Sequence, residues 1–381
     1  MPDWSRIHRE RRWGLGTVPL AFCSAIYGLG VRLRLAAYAT NVFRGKTLPG
    51  FVVSVGNLTA GGTGKTPAVI MLAQWALGQG RRVAVLSRGY GSQNHRDILE
   101  VSDGQGRYAD VLTAGDEPSL MARAIPESPV IISRSRYRAG IHAHNRFGSD
   151  FFILDDGFQH LQLTRDLDMV LMDAIDPFGN GHLLPWGSLR EPVKELSRAD
   201  AFILTRFSRG QNMERGLRGI RRKIGQAAVY AVPRAEKTLA FLKERFPSAP
   251  VFCADHCPDK VVFPATGEVH EPGFLENKGV VAFAGIAHPE YFRELLVSLG
   301  VEVIRFRGFR DHSLFSRKDL EDMIHAKEAA GARYLLTTEK DWMRIAPFAP
   351  GYVDLAYLRI RFTLLPGQHG FFRMIRDDLK E

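Results

Sequence analysis

Apolar residues along the chain fall into two kinds of run. Short, nearly uninterrupted runs have strand length: "FVVSVGN" (Phe51 to Asn57), "VAVLS" within "RRVAVLSRGYG" (Arg81 to Gly91), "FFIL" within "SDFFILDDGFQH" (Ser149 to His160), "DMVLMDA" (Asp168 to Ala174) and "DAFILTRF" (Asp200 to Phe207). Runs this apolar predict strands covered on both faces. Between them lie segments with apolar residues at helical spacing, such as "KTPAVIMLAQWALGQG" (Lys65 to Gly80), which Gly78 and Gly80 stop. The alternation predicts a doubly wound, mainly parallel α/β sheet with helices on both faces. It resumes on a smaller scale in "KGVVAFAGIAHPEYFRELLVSLG" (Lys278 to Gly300), "VEVIRFRGF", "SRKDLEDMIHAKEAAGA" with its serine cap, "RYLLTTEKD" and "YVDLAYLRIRF". These predict a second, smaller α/β domain. The expected division is an N-terminal segment 1–35, a core 36–245 and a C-terminal domain with its linker at 246–381.

The N-terminal segment has a different pattern. "WGLGTVPLAFCSAIYGLGV" (Trp13 to Val31) is 19 residues without a charge, flanked by arginines on both sides. As a helix it reaches roughly 28 Å, close to a bilayer core. A cleaved signal and a buried first helix fit the same composition. Bulky Phe22 stands where lipoprotein cleavage needs a small residue, and export would part the chain from ATP. A membrane-embedded or interfacial helix is the favoured expectation, with Trp13 and Tyr27 at interfacial depth and arginines on anionic headgroups.

Chemistry concentrates between Asn57 and Thr66. In "GNLTAGGTGKT" the glycines let main-chain N–H groups converge on phosphate oxygens, and the following helix adds its positive end. The expected phosphate-binding set is Asn57, Thr59, Ala60, Gly61, Gly62, Thr63, Gly64, Lys65 and Thr66. Lys65 would reach the β- and γ-phosphates, and the Thr66 hydroxyl would help hold Mg²⁺. Thr59 occupies a position where the strict pattern has glycine. Asp155 and Asp156 follow the apolar run Phe151 to Leu154, at the strand end where open α/β sheets place ligands. Two adjacent carboxylates also suit a turn or cap; downstream of a phosphate loop they point to the metal. Arg88 and Tyr90 fall at the tip of another predicted strand. "TTEKD" (Thr337 to Asp341) has the wrong spacing to read guanine.

Composition narrows the picture only a little. The chain has 381 residues and a net charge of +10, and eight Lys/Arg against two acids in residues 1–46 account for +6 of it. Basic balance suits an anionic surface or a phosphorylated substrate. No basic stripe interleaved with aromatics argues for nucleic acid. Three cysteines form no disulfide framework, and "CADHC" (Cys253 to Cys257) lacks a second pair of metal ligands.

The ordered series "VGNLTAGGTGKTP", "LSRGYG", "GDEP", "LDDGFQH", "GNGHLLPWGSLREP", "DHSLF" and "TTEKD" spans most of the chain. It resembles the tetraacyldisaccharide 4'-kinases, the lipid A 4'-kinases of Gram-negative bacteria. Thr59 looks like this family's own form of the loop. The resemblance implies transfer of the ATP γ-phosphate to the 4'-hydroxyl of tetraacyldisaccharide 1-phosphate, giving lipid IVA at the cytoplasmic face of the inner membrane. It implies ATP and Mg²⁺, a lipid substrate and a membrane surface, with no nucleic acid and no obligate protein partner. It makes Asp116 of "GDEP" and His312 of "DHSLF" a catalytic dyad, a carboxylate base with an orienting histidine, and implies that two domains close on each other. It places Asp155, Asp156 and Glu191 with Thr66 at the metal. Gln159, His160, Arg190, Arg136 and Arg138, with Arg134, are then candidates for phosphate or substrate contact. A second reading of the same loop is an ATPase switch that gates a partner without a lipid acceptor.

Overall fold

The structure, a computed structural model, describes residues 8, 17–89, 97–207, 231–311, 315–349, 351–368 and 370–379, with backbone alone at 231–233. The described strands, in chain order, are β1 (Phe51–Gly56), β2 (Val83–Ser87), β3 (Ile98–Asp103), β4 (Pro129–Ser133), β5 (Phe151–Asp155), β6 (Leu167–Asp173), β7 (Ala201–Thr205), β8 (Val251–Phe263), β9 (Glu268–His270), β10 (Gly279–Ala284), β11 (Glu302–Gly308), β12 (Tyr334–Thr338) and β13 (Leu355–Leu364).

The chain forms two compact units, each discontinuous in sequence. One comprises Met1–Leu86, Ser135–His256 and Phe362–Glu381; the other comprises Ser87–Arg134 and Cys257–Arg361. The expected linear cut into 36–245 and 246–381 groups the chain differently. Residues 87–134 pack with the later part of the chain because the helix Asp116–Ala124 lies against the helix Glu339–Ile345. A periodicity argument sees each run but not its distant partner.

In the first unit, β8, β7, β6, β1, β5 and β2 lie side by side, every neighbouring pair parallel. Strands β2, β5 and β7 are buried at every position, as their apolar sequences require when helices cover both faces. Helix Lys65–Gly78 follows β1, and helix Arg136–Phe147 leads into β5. Register puts Val55 of β1 beside Asp155 of β5, so the glycine loop and the paired carboxylates leave the sheet at one level.

The N-terminal helix, Val18–Ala39, is 22 residues long, and only Ser24 and Gly28 are buried. That removes the buried-core reading. Val18, Phe22, Ile26, Leu29 and Leu33 are each more than half exposed and recur every three or four residues, which makes one continuous apolar stripe. The opposite face is small and polar. Ser24 Oγ donates to Leu183 O at 2.8 Å, and Tyr27 OH to Arg190 O at 2.9 Å. By length and composition the helix is able to cross a membrane.

In the second unit, β11, β10, β12 and β13 form a parallel set, while β3–β4 and β8–β9 are antiparallel pairs. Val280, Ala282, Leu336, Ala356 and Leu358 form part of one packed cluster on the parallel set.

Candidate functional site

The loop after β1 carries the expected phosphate-binding residues. Asn57 is fully buried, and its side-chain amide donates to Thr59 O at 2.7 Å, closing the loop on itself. Ala60 N donates to Ser188 O at 2.7 Å, and Arg190 N to Leu58 O at 2.9 Å, which tie the loop to the "GSLREP" segment. Gly64 precedes the helix with φ +82°, a left-handed conformation that glycine adopts without strain. Thr63 and Thr66 are buried, and Lys65 opens the helix.

Lys65 Nζ stands 3.4 Å from Asp156 Oδ1, and Arg190 Nη1 donates to both Asp156 oxygens at 2.9 and 2.7 Å. Burial pushes against ionisation, yet these two cations hold the Asp156 carboxyl down to about 2. Arg190 also lies 3.4 Å from Gln159 Oε1, and Gln159 Nε2 donates to Asn57 O at 3.0 Å. Five sequence-expected residues therefore meet: Lys65, Asp156, Arg190, Gln159 and Asn57. Asp155, 5% exposed at the end of β5, presents a carboxylate beside the loop. Glu191 is 1% exposed and faces arginines: Arg198 bonds one oxygen, and Arg34 lies 3.7 Å from the other. Burial pushes the Glu191 carboxyl up, and Arg198 opposes that shift. No group of three His, Cys, Asp or Glu side chains converges as a metal cage among the described residues. Thr66 and Asp155 offer the few hard oxygen donors that suit Mg²⁺, which completes its shell with water and phosphate.

Other expected residues are more scattered. Arg136 is 4% exposed, Arg138 and Arg134 are exposed, and Arg88 is exposed just after β2. His160 is half-buried, and its backbone N–H donates to Gly157 O at 2.8 Å. Tyr90 and His312 lie outside the described residues.

The second unit organises Asp116. It begins a helix after Gly115 and is 8% exposed. Arg344 donates to Asp116 Oδ2 through Nε at 2.8 Å and through Nη2. Arg344 Nη1 is fixed in turn by Gly285 O at 2.9 Å and Asp341 Oδ1 at 3.0 Å. Lys340 Nζ lies 2.7 Å from Glu117, 3.8 Å from Asp116 and 3.9 Å from Asp311. Burial alone would lower the Lys340 ammonium; Glu117, Asp116 and Asp311 outweigh it and raise it. "TTEKD" thus has a definite structural role. Thr338 caps its helix by accepting from Asp341 N at 3.1 Å, and Asp341 holds Arg344. Sequence reading missed Lys340, Asp341 and Arg344; the Thr-x-x-Asp spacing of a capping box was the available signal.

It also missed His256, inside "CADHC" on β8. A Cβ built on Gly64 would stand 2.1 Å from His256 Nε2, so the imidazole occupies the space that glycine leaves open. Burial first, then the Arg206 guanidinium, hold this imidazole down to about 4. It is neutral near pH 7.

A family model described as Tetraacyldisaccharide-1-P 4'-kinase matches residues 17–380. The tetraacyldisaccharide 4'-kinase of Syntrophus aciditrophicus is 39% identical over 359 residues, covering 94% of this chain and 92% of that protein. That of Geobacter metallireducens is 40% identical over 328 residues, covering 86% and 88%. A crystal structure of LpxK from Aquifex aeolicus in complex with ATP is 30% identical, covers 96% of this chain and 98% of its own, and superposes with a TM-score of 0.69.

His256 gives a pH signature. Its folded value of about 4 lies below the ordinary 6.5, so between those limits the unfolded chain binds the extra proton. Stability therefore rises with pH across this window and is lost as pH falls through it, about 3 kcal/mol in full. Thermal unfolding at pH 7 and pH 5 should show a drop several degrees larger in the native chain than in His256→Gln. Parallel pH dependences in the two proteins would remove the assignment.

Proposed function

The chain belongs to the tetraacyldisaccharide 4'-kinase family, and from that premise we propose how its residues divide the work. It is an ATP-dependent kinase that phosphorylates the 4'-hydroxyl of tetraacyldisaccharide 1-phosphate in lipid A biosynthesis, yielding lipid IVA. The observation that carries the assignment of roles is Lys65 and Arg190 gathered on Asp156 at the mouth of the glycine loop.

Main-chain N–H groups from Gly61 to Thr66 cradle the ATP phosphates. Lys65 moves from Asp156 to the β- and γ-oxygens as the nucleotide enters, and Arg190 contacts the same phosphates. Thr66 and Asp155 would hold Mg²⁺, which neutralises charge building on the phosphate oxygens. Asp116 takes the proton of the 4'-hydroxyl as that oxygen attacks the γ-phosphorus. The bond from this phosphorus to the β–γ bridging oxygen breaks, and ADP leaves. His312 orients Asp116 in this division of roles, and Arg344 fixes the carboxylate through Oδ2. The N-terminal helix seats the enzyme on the cytoplasmic face of the inner membrane, where ATP is supplied. A fully buried large apolar side chain is worth roughly 1.5–3 kcal/mol, against about 1 kcal/mol for a basic residue near anionic lipid. The stripe of five apolar residues therefore dominates the anchor.

Three measurements test this. With radiolabelled γ-phosphate, label should pass to the tetraacyl disaccharide and not to detergent alone; ATP turnover without labelled lipid would favour the partner-gating ATPase. Asp116→Ala should lower kcat about 10²- to 10⁴-fold with ATP affinity nearly unchanged, and Arg344→Gln should give the same pattern more weakly. Lost ATP binding with an intact saturated rate would reverse the role of Asp116. Deleting residues 1–34 should release the protein from membranes, whereas high salt should not; full release by salt alone would mean the anchor is electrostatic.

A further inference from the structure

A polar cavity lies in the first unit, at the C-terminal end of the N-terminal helix. Its volume is about 380 Å³, and its lining includes Tyr38, Arg44, Lys46, Ser135, Tyr137 and Gln162, with no acidic residue. Neither Arg44 nor Lys46 pairs with a carboxylate among the described residues. Lys46 Nζ sits 4.8 Å above the Tyr137 ring, an apolar seat that leaves its ammonium protons available. Two unpaired cations with tyrosine and serine hydroxyls around one cavity make an anion site, and the several donors suit a phosphate monoester.

The backbone there is already fixed. Lys46 N donates to Gln162 O at 2.9 Å, Thr164 N to Lys46 O at 2.9 Å, and Phe43 N to Ala37 O at 3.0 Å. At the rim, Val42 is 71% exposed and Phe43 52% exposed, adjoining the same helix that carries the apolar stripe. An occupant there would keep its phosphate in the cavity and its hydrocarbon alongside the helix. Gln162 is three residues beyond Gln159, the residue bonded to Arg190 and to Asn57 O. Three residues span at most about 11 Å, so the cavity lies within the reach of two sugar rings from the phosphate-binding residues.

We infer that this cavity is the subsite for the 1-phosphate of the acylated disaccharide, with Arg44 and Lys46 as its specificity-determining residues. The inference rests on the kinase reading above. Arg134, Arg136 and Arg138, expected as candidates for phosphate or substrate contact, are then left for other contacts. By holding the end of the disaccharide that carries the 1-phosphate, the subsite sets how far the 4'-hydroxyl extends toward the nucleotide. It also discriminates against acceptors that lack the phosphate.

The test uses the full chain in mixed micelles with two acceptors, the tetraacyl disaccharide 1-phosphate and its 1-dephospho analogue. The native enzyme should prefer the phosphorylated acceptor. Arg44→Gln/Lys46→Gln should raise KM for it about tenfold or more, leave KM for ATP unchanged, and narrow the preference toward unity. Both residues are exposed, so the variant should keep the native thermal midpoint, and Lys46→Glu should exceed Lys46→Gln in effect. An unaltered preference between acceptors, or equal losses on both, would overturn the subsite. If phosphatidylglycerol in the micelles changed the native KM and that response vanished in the variant while the preference stayed, the cavity would serve bilayer headgroups and the subsite would fall. Inhibition by free inorganic phosphate, lost in the variant with the preference intact, would likewise assign it to a free ion. A native enzyme inactive on both acceptors would sink the kinase reading itself.

Discussion

One carboxylate, Asp156, sets the electrostatics of the nucleotide side. A glycine loop, a helix N-terminus and Lys65 are all positive, and with nothing to oppose them they would repel one another in a partly buried place. Asp156 supplies the opposing charge to both Lys65 and Arg190. Its backbone φ of +54° is one that aspartate tolerates and most residues do not. The loop backbone is held in turn by Asn57 Nδ2 on Thr59 O, by Ala60 N on Ser188 O and by Arg190 N on Leu58 O.

The second unit repeats this alternation of charge with other residues. Asp341 is fully buried and accepts from Gly285 N, Thr338 Oγ1 and Arg344; Arg344 then reaches Asp116. Each buried ion has an opposite neighbour, so no member can be removed without leaving a charge uncompensated. The arrangement fixes the orientation of Asp116 as well as its charge. Arg344 donates twice to Oδ2, through Nε and Nη2, which sets the plane of the carboxylate.

Strands were legible in the sequence because burial on both faces writes an unbroken apolar run, and the glycine loop because backbone convergence demands glycine. The helix from Lys65 was legible from its spacing and its glycine stop. What the sequence withheld are contacts between residues far apart. Asp116 and Arg344 are 228 positions apart, and no local period links them. The grouping of residues 87–134 with 257–361 is hidden for the same reason. His256 looked incidental inside "CADHC" because its meaning lies in Gly64, on a distant segment. Along the alternate arginines of "SRSRYRAG", helical geometry buries Arg136 and exposes Arg138 two positions later, a difference that the alternation itself does not show.

The N-terminal helix inverts the usual order of a surface helix, with its small and polar side against the protein and its apolar side outward. Gly28 permits the close approach, since a Cβ there would meet Leu183 Cδ1 at 2.8 Å. The contacts it makes are with residues that matter for phosphate. Tyr27 bonds the carbonyl of Arg190, Arg34 Nη2 bonds the carbonyl of Gln159 at 2.6 Å, and Arg34 also faces Glu191. Arg190 and Gln159 are the two residues that hold Asp156 and Asn57. Anchor and nucleotide loop therefore share their supports. The face opposite the apolar stripe is thus joined through Arg190 and Gln159 to the segment that holds Asp156 and Asn57.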